Sequence, residues 1–250
     1  MRKPIIAGNW KLFKTTGEAE AFAKELCGKV GHAGDREIVI CPAFTVLQQV
    51  NKIIRGTNVK LGAQDMYWED TGAFTGEISA VMLKDCGCEF VIIGHSERRQ
   101  FFSETDRSVN IKTKKAVASG IVPIMCVGET LKQREEGVTF KVVESQVTEG
   151  LSGISAQDML KTVIAYEPVW AIGTGKTATP QQAEEVHAFI RKILSDVSGK
   201  ETAEQLRILY GGSIKPENIS DIMRCANIDG GLVGGASLKV DSFLSIINYK

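Results

Sequence analysis

Eight short runs of apolar, mostly β-branched residues recur along the chain, each followed by a segment with helical spacing. The runs are Ile5–Asn9, Glu37–Cys41, Val59–Ala63, Phe90–Ile93, Val122–Val127, 162–166, Arg207–Tyr210 and 231–233. Several are apolar throughout rather than alternating, which is the pattern of strands buried on both faces of a parallel sheet. The clearest helical pattern covers Pro180–Ser198, where Val186, Ile190, Ile193 and Val197 mark one face. It opens on a capping box, Thr179-Pro180-Gln181-Gln182, with proline at the first helical position. A second box, Thr15-Thr16-Gly17-Glu18, precedes the first helix. Eight β-then-α units in 250 residues, with no linker and no low-complexity stretch, predict the α/β class and one closed (β/α)8 barrel domain over 1–250. A doubly wound open sheet is the alternative. It would want a Gly-x-Gly-x-x-Gly turn after its first strand, where this chain has Asn9-Trp10-Lys11-Leu12-Phe13.

Charge narrows the partners. Lys plus Arg is 30 and Asp plus Glu is 30, so the formal charge is zero. Nucleic-acid and membrane-surface proteins depend on a basic excess, and neither partner is expected here; a small anion needs only a few local cations. The N-terminal run meets polar Asn9 too early for a signal-peptide core. The six cysteines are scattered, and Cys86-Gly87-Cys88 lacks the spacing of a zinc knuckle. Reduced core thiols, a cytoplasmic location and no bound metal are the expectations.

In a barrel, chemistry belongs at the C-terminal ends of the strands. The first strand delivers Asn9 and Lys11, which alternation places on one side of an extended chain. The fourth leads to Gly94-His95-Ser96-Glu97-Arg98-Arg99, the fifth to Gly128-Glu129 and the sixth to Glu167. The seventh ends in Gly211-Gly212-Ser213 and the eighth in Gly234-Gly235. Taken singly, Lys11 suits a surface cation, His95 a satisfied structural histidine and each glycine pair a plain turn. Together they bring a cation, an imidazole, a carboxylate and two Gly-rich turns to one mouth.

The glycines suit a phosphate, because Gly-rich turns leading into helix starts expose backbone N–H groups at a positive helix end. Ser213 adds a hydroxyl and Gly173 a further N–H. Lys176-Thr177 suggests a Walker loop, but its first glycine would fall at Trp170, so that motif fails. The remaining groups suit proton transfer: Glu167 to take a proton from carbon, His95 to polarise oxygens, Lys11 to stabilise an enediolate. A carboxylate at the end of a buried strand is costly to place and asks for a purpose. After it, Pro168-Val169-Trp170 is stiff, 171–172 apolar and 173–176 glycine-containing, as in a hinged lid or, alone, an ordinary loop.

These segments together resemble the triosephosphate isomerase family: Gly8-Asn9-Trp10-Lys11, Ile93 to Arg99, Ala165 to Gly175, Tyr210-Gly211-Gly212-Ser213 and Leu232 to Ala236. The resemblance covers essentially the whole chain. It implies a TIM barrel and a cofactor-free isomerase of glycolysis and gluconeogenesis, interconverting glyceraldehyde 3-phosphate and dihydroxyacetone phosphate through an enediolate. Glu167 would be the general base and His95 a neutral electrophile, a pairing for which this family is itself the standard worked example. Asn9, Lys11 and Glu97 would complete the catalytic set. Asn9, Lys11, Gly173, Ser213, Gly234 and Gly235 would bind the phosphorylated substrate, and a lid over 169–176 would protect the intermediate from water.

The loop 64–77 carries Tyr67, Trp68 and Phe74, a patch that a monomer seldom displays. It covers either its own barrel or a partner. The resemblance implies a homodimer in which this loop, with Thr75 near its tip, enters the second subunit near Asn9 and Lys11. Another phosphate-binding barrel enzyme is the nearest rival, although a Schiff-base aldolase would want a lysine where this chain has Glu167. A non-catalytic relative would be expected to have lost Glu167, His95 or Lys11.

Overall fold

A computed structural model of the protein describes residues 2–31, 34–171 and 178–250. Its eight strands are β1 (Ile5–Asn9), β2 (Glu37–Cys41), β3 (Val59–Ala63), β4 (Phe90–Ile93), β5 (Val122–Val127), β6 (Val163–Tyr166), β7 (Arg207–Tyr210) and β8 (Gly230–Val233). They pair in sequence order, all parallel, and β8 closes on β1. The sheet is therefore a closed (β/α)8 barrel with helices outside it, not an open doubly wound sheet.

The strands lack polar alternation because both of their faces are buried. Ile5, Ala7, Val39, Phe90, Ile92, Ile124, Val163 and Leu209 point into the barrel and form one cluster. Their neighbours Ile6, Ile38, Ile40, Val91, Ile93, Ile164 and Ile208 point outward into a second cluster shared with the helices. At about 25 cal/mol per Å² of apolar surface, these two layers are the main stabilising term. The helix Pro180–Ser198 buries Val186, Ile190 and Ile193 on the face read from its spacing, and Thr179 caps Gln182 as the box requires.

Two strand edges differ by one residue from the sequence pattern. Thr162 belongs to the preceding turn, because both its amide and its hydroxyl donate to the Met159 carbonyl. Gly230 joins β8: its φ is 141° and a Cβ there would lie 1.9 Å from the Ile5 carbonyl oxygen, so only glycine fits. All six cysteines are free thiols; Cys41, Cys88 and Cys126 are buried, and burial raises the pKa of each.

Candidate active site

Glu167 follows β6 directly and is only 2% exposed. Its Oε1 lies 2.9 Å from His95 Nε2, and its Oε2 accepts the Ser96 backbone N–H at 2.9 Å. Burial alone would raise the carboxyl pKa. The charge and hydrogen bond of His95, the Ser96 N–H and Lys11 outweigh it and hold Glu167 below its ordinary value. A buried glutamate is therefore kept ionised by its neighbours. Two glycines make room for it: a Cβ on Gly128 would lie 1.8 Å from the Glu167 carbonyl oxygen, and one on Gly211 would lie 2.9 Å from its Cγ.

His95 caps the helix Ser96–Phe101, its Nδ1 accepting the Glu97 N–H at 3.2 Å. That contact selects the tautomer with the proton on Nε2, which then donates to Glu167. Burial disfavours the imidazolium, but the adjacent Glu167 carboxylate more than offsets this and draws the ring above its ordinary pKa. The Glu97 amide opposes a second proton, since protonating Nδ1 would set two N–H donors against each other. Two arginines beside His95 serve the scaffold. Arg99 donates to the carbonyls of Gly94 and Cys126, tying the ends of β4 and β5, while Arg98 pairs with buried Asp65 at 2.8 Å.

Lys11 departs from the extended conformation that alternation suggests, with φ at 52°, in the left-handed region that a residue with a Cβ rarely adopts. Three contacts hold it there. Its N–H donates to Asn9 Oδ1 at 3.0 Å, its carbonyl accepts from Gln64 Nε2 at 2.9 Å, and its Nζ lies 2.6 Å from Glu97 Oε1. Asn9 and Lys11 still line the same cavity, because Trp10 between them turns fully into the core.

That cavity, about 340 Å³, is lined by Asn9, Lys11, His95, Glu167, Ser213, Gly234 and Gly235, with the Lys11 Cε 3.4 Å from where a Gly234 Cβ would stand. Gly234 opens the short helical turn Gly235–Leu238, where the buried Ser237 hydroxyl donates to the Gly234 carbonyl. The Gly211–Ser213 segment instead enters a turn several residues before the helix Ile219–Met223. A larger cavity of about 780 Å³ shares Glu167 with the first and is lined by the apolar Phe101, Leu131, Val127, Val169 and Trp170 together with polar groups such as Glu97, Arg99 and Gln146. It lacks Lys11, Asn9 and the Gly234–Gly235 turn, so of the two cavities the smaller is the one that brings Glu167 together with them. Gly173 lies outside the described residues, as does most of the proposed lid.

Three contributions went unread in the sequence. Gln64 also donates to the Cys41 carbonyl, so one amide joins the ends of β1 and β2. Glu129, fully buried, accepts from Tyr166 Oη at 3.0 Å and Trp170 Nε1 at 2.9 Å, and pairs with Arg134 at 3.2 Å. Gly128 sits against the Glu167 backbone. The position of Gln64 and Glu129 at strand ends was visible; their partners, tens of residues away, were not.

A sequence model of the triosephosphate isomerase family matches residues 4–250. A triosephosphate isomerase of Endomicrobium trichonymphae is 60% identical over 249 residues, covering 100% of this chain and 99% of that protein. Those of Geobacter metallireducens and Trichlorobacter lovleyi are 58% and 57% identical over 250 residues, covering both chains in full. With a closed eight-stranded parallel barrel and sequence similarity along its entire length, the chain belongs to the triosephosphate isomerase family.

Proposed function

We propose that the protein interconverts dihydroxyacetone phosphate and glyceraldehyde 3-phosphate by cofactor-free proton transfer. The observation that carries this reading is Glu167: a buried, ionised carboxylate at the wall of a cavity that also holds Lys11 and the glycine turns at Gly211–Gly212 and Gly234–Gly235. Both oxygens of Glu167 are engaged, by His95 Nε2 and the Ser96 N–H, so attack on the substrate carbon requires exchanging at least one of those contacts. Glu167 then removes a proton from C1 of the ketone, and the electrons move onto O2 as the enediolate. The released His95 Nε2–H donates to the substrate oxygens and moves a proton between them. Lys11, with Asn9 orienting its backbone and Glu97 its ammonium, offsets the charge on the oxyanion. Glu167 returns its proton to C2. Ser213 and the turn at Gly234 and Gly235 hold the phosphate, with Gly173 as a further N–H donor and 169–176 as a lid that prevents phosphate loss from the intermediate.

We read residues 1–250 as one domain and the active form as a homodimer. Leu12, Phe13, Phe44, Phe74, Val81, Met82, Phe101 and Phe102 are exposed and all follow the neighbouring strands β1 to β4. Residues 69–77 are exposed, so the Thr75 tip is available to a second copy. No described helix is long and apolar enough to cross a membrane, and a cytoplasmic location fits the metabolic role.

The deciding experiment is a coupled assay on purified protein with glyceraldehyde 3-phosphate, following dihydroxyacetone phosphate by its reduction. Turnover without added metal or nucleotide supports the assignment; a folded protein with none overturns it.

A further inference from the structure

The cavity has a charge problem that the proposed catalytic residues leave unsolved. A triose phosphate arrives as a dianion and must approach the carboxylate of Glu167. Lys11 lies beside that carboxylate, and its Cε is 3.4 Å from where a Gly234 Cβ would stand, but Glu97 already engages its Nζ at 2.6 Å. Among the described residues lining the cavity, one more side chain carries a fixed positive charge, and it is Lys215. It stands on the phosphate side, two residues after Ser213, is exposed, and has no ion-pair partner among the described residues.

The backbone that carries Lys215 is fixed rather than loose. Asn218 Oδ1 accepts the Lys215 N–H at 2.8 Å, and Asn218 Nδ2 donates to the Ser213 carbonyl at 2.9 Å. The Asn218 and Ile219 amides both donate back to the Lys215 carbonyl at 3.2 Å. One side chain thus clamps both ends of the Ser213–Lys215 segment. The backbone of Lys215 is thus anchored at the cavity rim while its side chain keeps its freedom, which suits capture of an anion from solvent. An unpaired surface cation beside a concave site raises local anion concentration and speeds association, and salt weakens that effect.

We infer that Lys215 is the capture cation for the substrate's phosphate, drawing the dianion to the Ser213 side of the cavity. The inference deepens the proposed function and rests on it for the identity of the substrate, but not for the anion. Lys215 contributes to binding and to the on-rate; the proton transfers stay with Glu167 and His95.

The test compares Lys215→Gln, Lys215→Glu and Lys215→Arg with the parent protein across ionic strength. At low salt, Lys215→Gln should lose kcat/KM by about 3–10-fold, Lys215→Glu should lose more, and Lys215→Arg should stay within about two-fold. The deficit should fall on kcat/KM rather than kcat and shrink as salt rises well above 0.1 M, where the screening length is about 10 Å. Calorimetry with inorganic phosphate reads the same site without turnover, and its affinity should weaken in Lys215→Gln in the same proportion at low salt. Equal phosphate affinity in both proteins, or a deficit independent of salt, overturns the inference. Phosphate binding that depends on Lys215 in a protein that does not turn over triose phosphate would sustain it while removing the isomerase assignment. Lys215 is exposed, so an unchanged melting temperature is expected as the folding control.

Discussion

Glu167 Oε1 and His95 Nε2 lie 2.9 Å apart, a direct contact between the candidate base and the candidate electrophile. The two are 72 positions apart in the chain, yet β4 and β6 flank β5 and bring them together. Each alters the other's protonation, so substitutions at one have readable consequences at the other.

Glu167→Gln keeps the shape and an oxygen for the Ser96 N–H but removes the base. kcat is expected to fall by at least about 10²–10⁴-fold, with a much smaller change in KM. Steady-state kinetics check this, and near-normal kcat would reject Glu167 as the base.

The same variant should change the titration of His95. In the parent protein the Glu167 carboxylate draws the ring above the ordinary 6.5 against the penalty of burial. Removing that charge leaves burial dominant, so the pKa in Glu167→Gln should drop below the parent's. The stability signs follow. The raised His95 value stabilises the fold at pH below 6.5, and that part is lost as pH climbs through the folded value. The depressed Glu167 value stabilises it above 4.5, and that part is lost as pH falls through the folded value. The contact therefore contributes most between these two pH values, and the parent's stability advantage over Glu167→Gln should peak there. Nitrogen-detected NMR of the ring and melting curves across pH measure both; an unchanged His95 pKa would mean that the contact is not formed in solution.

The strands were legible because burial on both faces writes an apolar run whatever the neighbours are, and glycine at strand ends is visible directly. Glu167, His95, Lys11 and the Gly234–Gly235 turn were legible because each stands at a strand end. Pairing across the barrel was not. Nothing near Lys11 in sequence announces that Gln64 will clasp its carbonyl, or that its backbone will be held at φ 52°. Arg98 and Arg99, beside His95, look as functional as the histidine until their partners Asp65, Gly94 and Cys126 are placed.

Gly128 gives a prediction about backbone placement. A Cβ there would collide with the Glu167 carbonyl at 1.8 Å, and backbone cannot rotate away as a side-chain tip can. Gly128→Ala should push the Glu167 backbone off its position while leaving Lys11, Ser213 and Gly234 in place. A displacement near 1 Å costs on the order of 10²-fold in kcat, whereas phosphate affinity should be little changed. Parent-like kcat in a folded Gly128→Ala protein would show that the site tolerates the shift.

Glu129→Ala should act through stability and through the start of the segment after Glu167. It removes the acceptor shared by buried Tyr166 Oη and Trp170 Nε1 and leaves Arg134 without its carboxylate. Leaving the buried Tyr166 hydroxyl unsatisfied costs about 1–3 kcal/mol, so a loss of that order is expected in denaturant unfolding. Glu129→Gln keeps an acceptor oxygen and should lose less. Equal stability of the two variants would mean that neither the volume nor a neutral acceptor at this position counts, leaving the charge facing Arg134 as its contribution.

Leu12→Asp tests the assembly. Leu12 is 94% exposed, directly beside Lys11, and Phe74 on the loop 64–77 is 42% exposed. An apolar side chain so open next to a candidate catalytic lysine is explained if a second copy covers it. The parent protein should sediment at about twice 27.2 kDa at micromolar concentration, and Leu12→Asp or Phe74→Asp should shift it toward 27.2 kDa. Activity should fall with the mass, because the strained Lys11 backbone and its Gln64 clasp lie at the edge of the covered surface. A parent protein that sediments as a monomer while turning over normally would remove the dimer and leave Leu12 as a plain exposed residue.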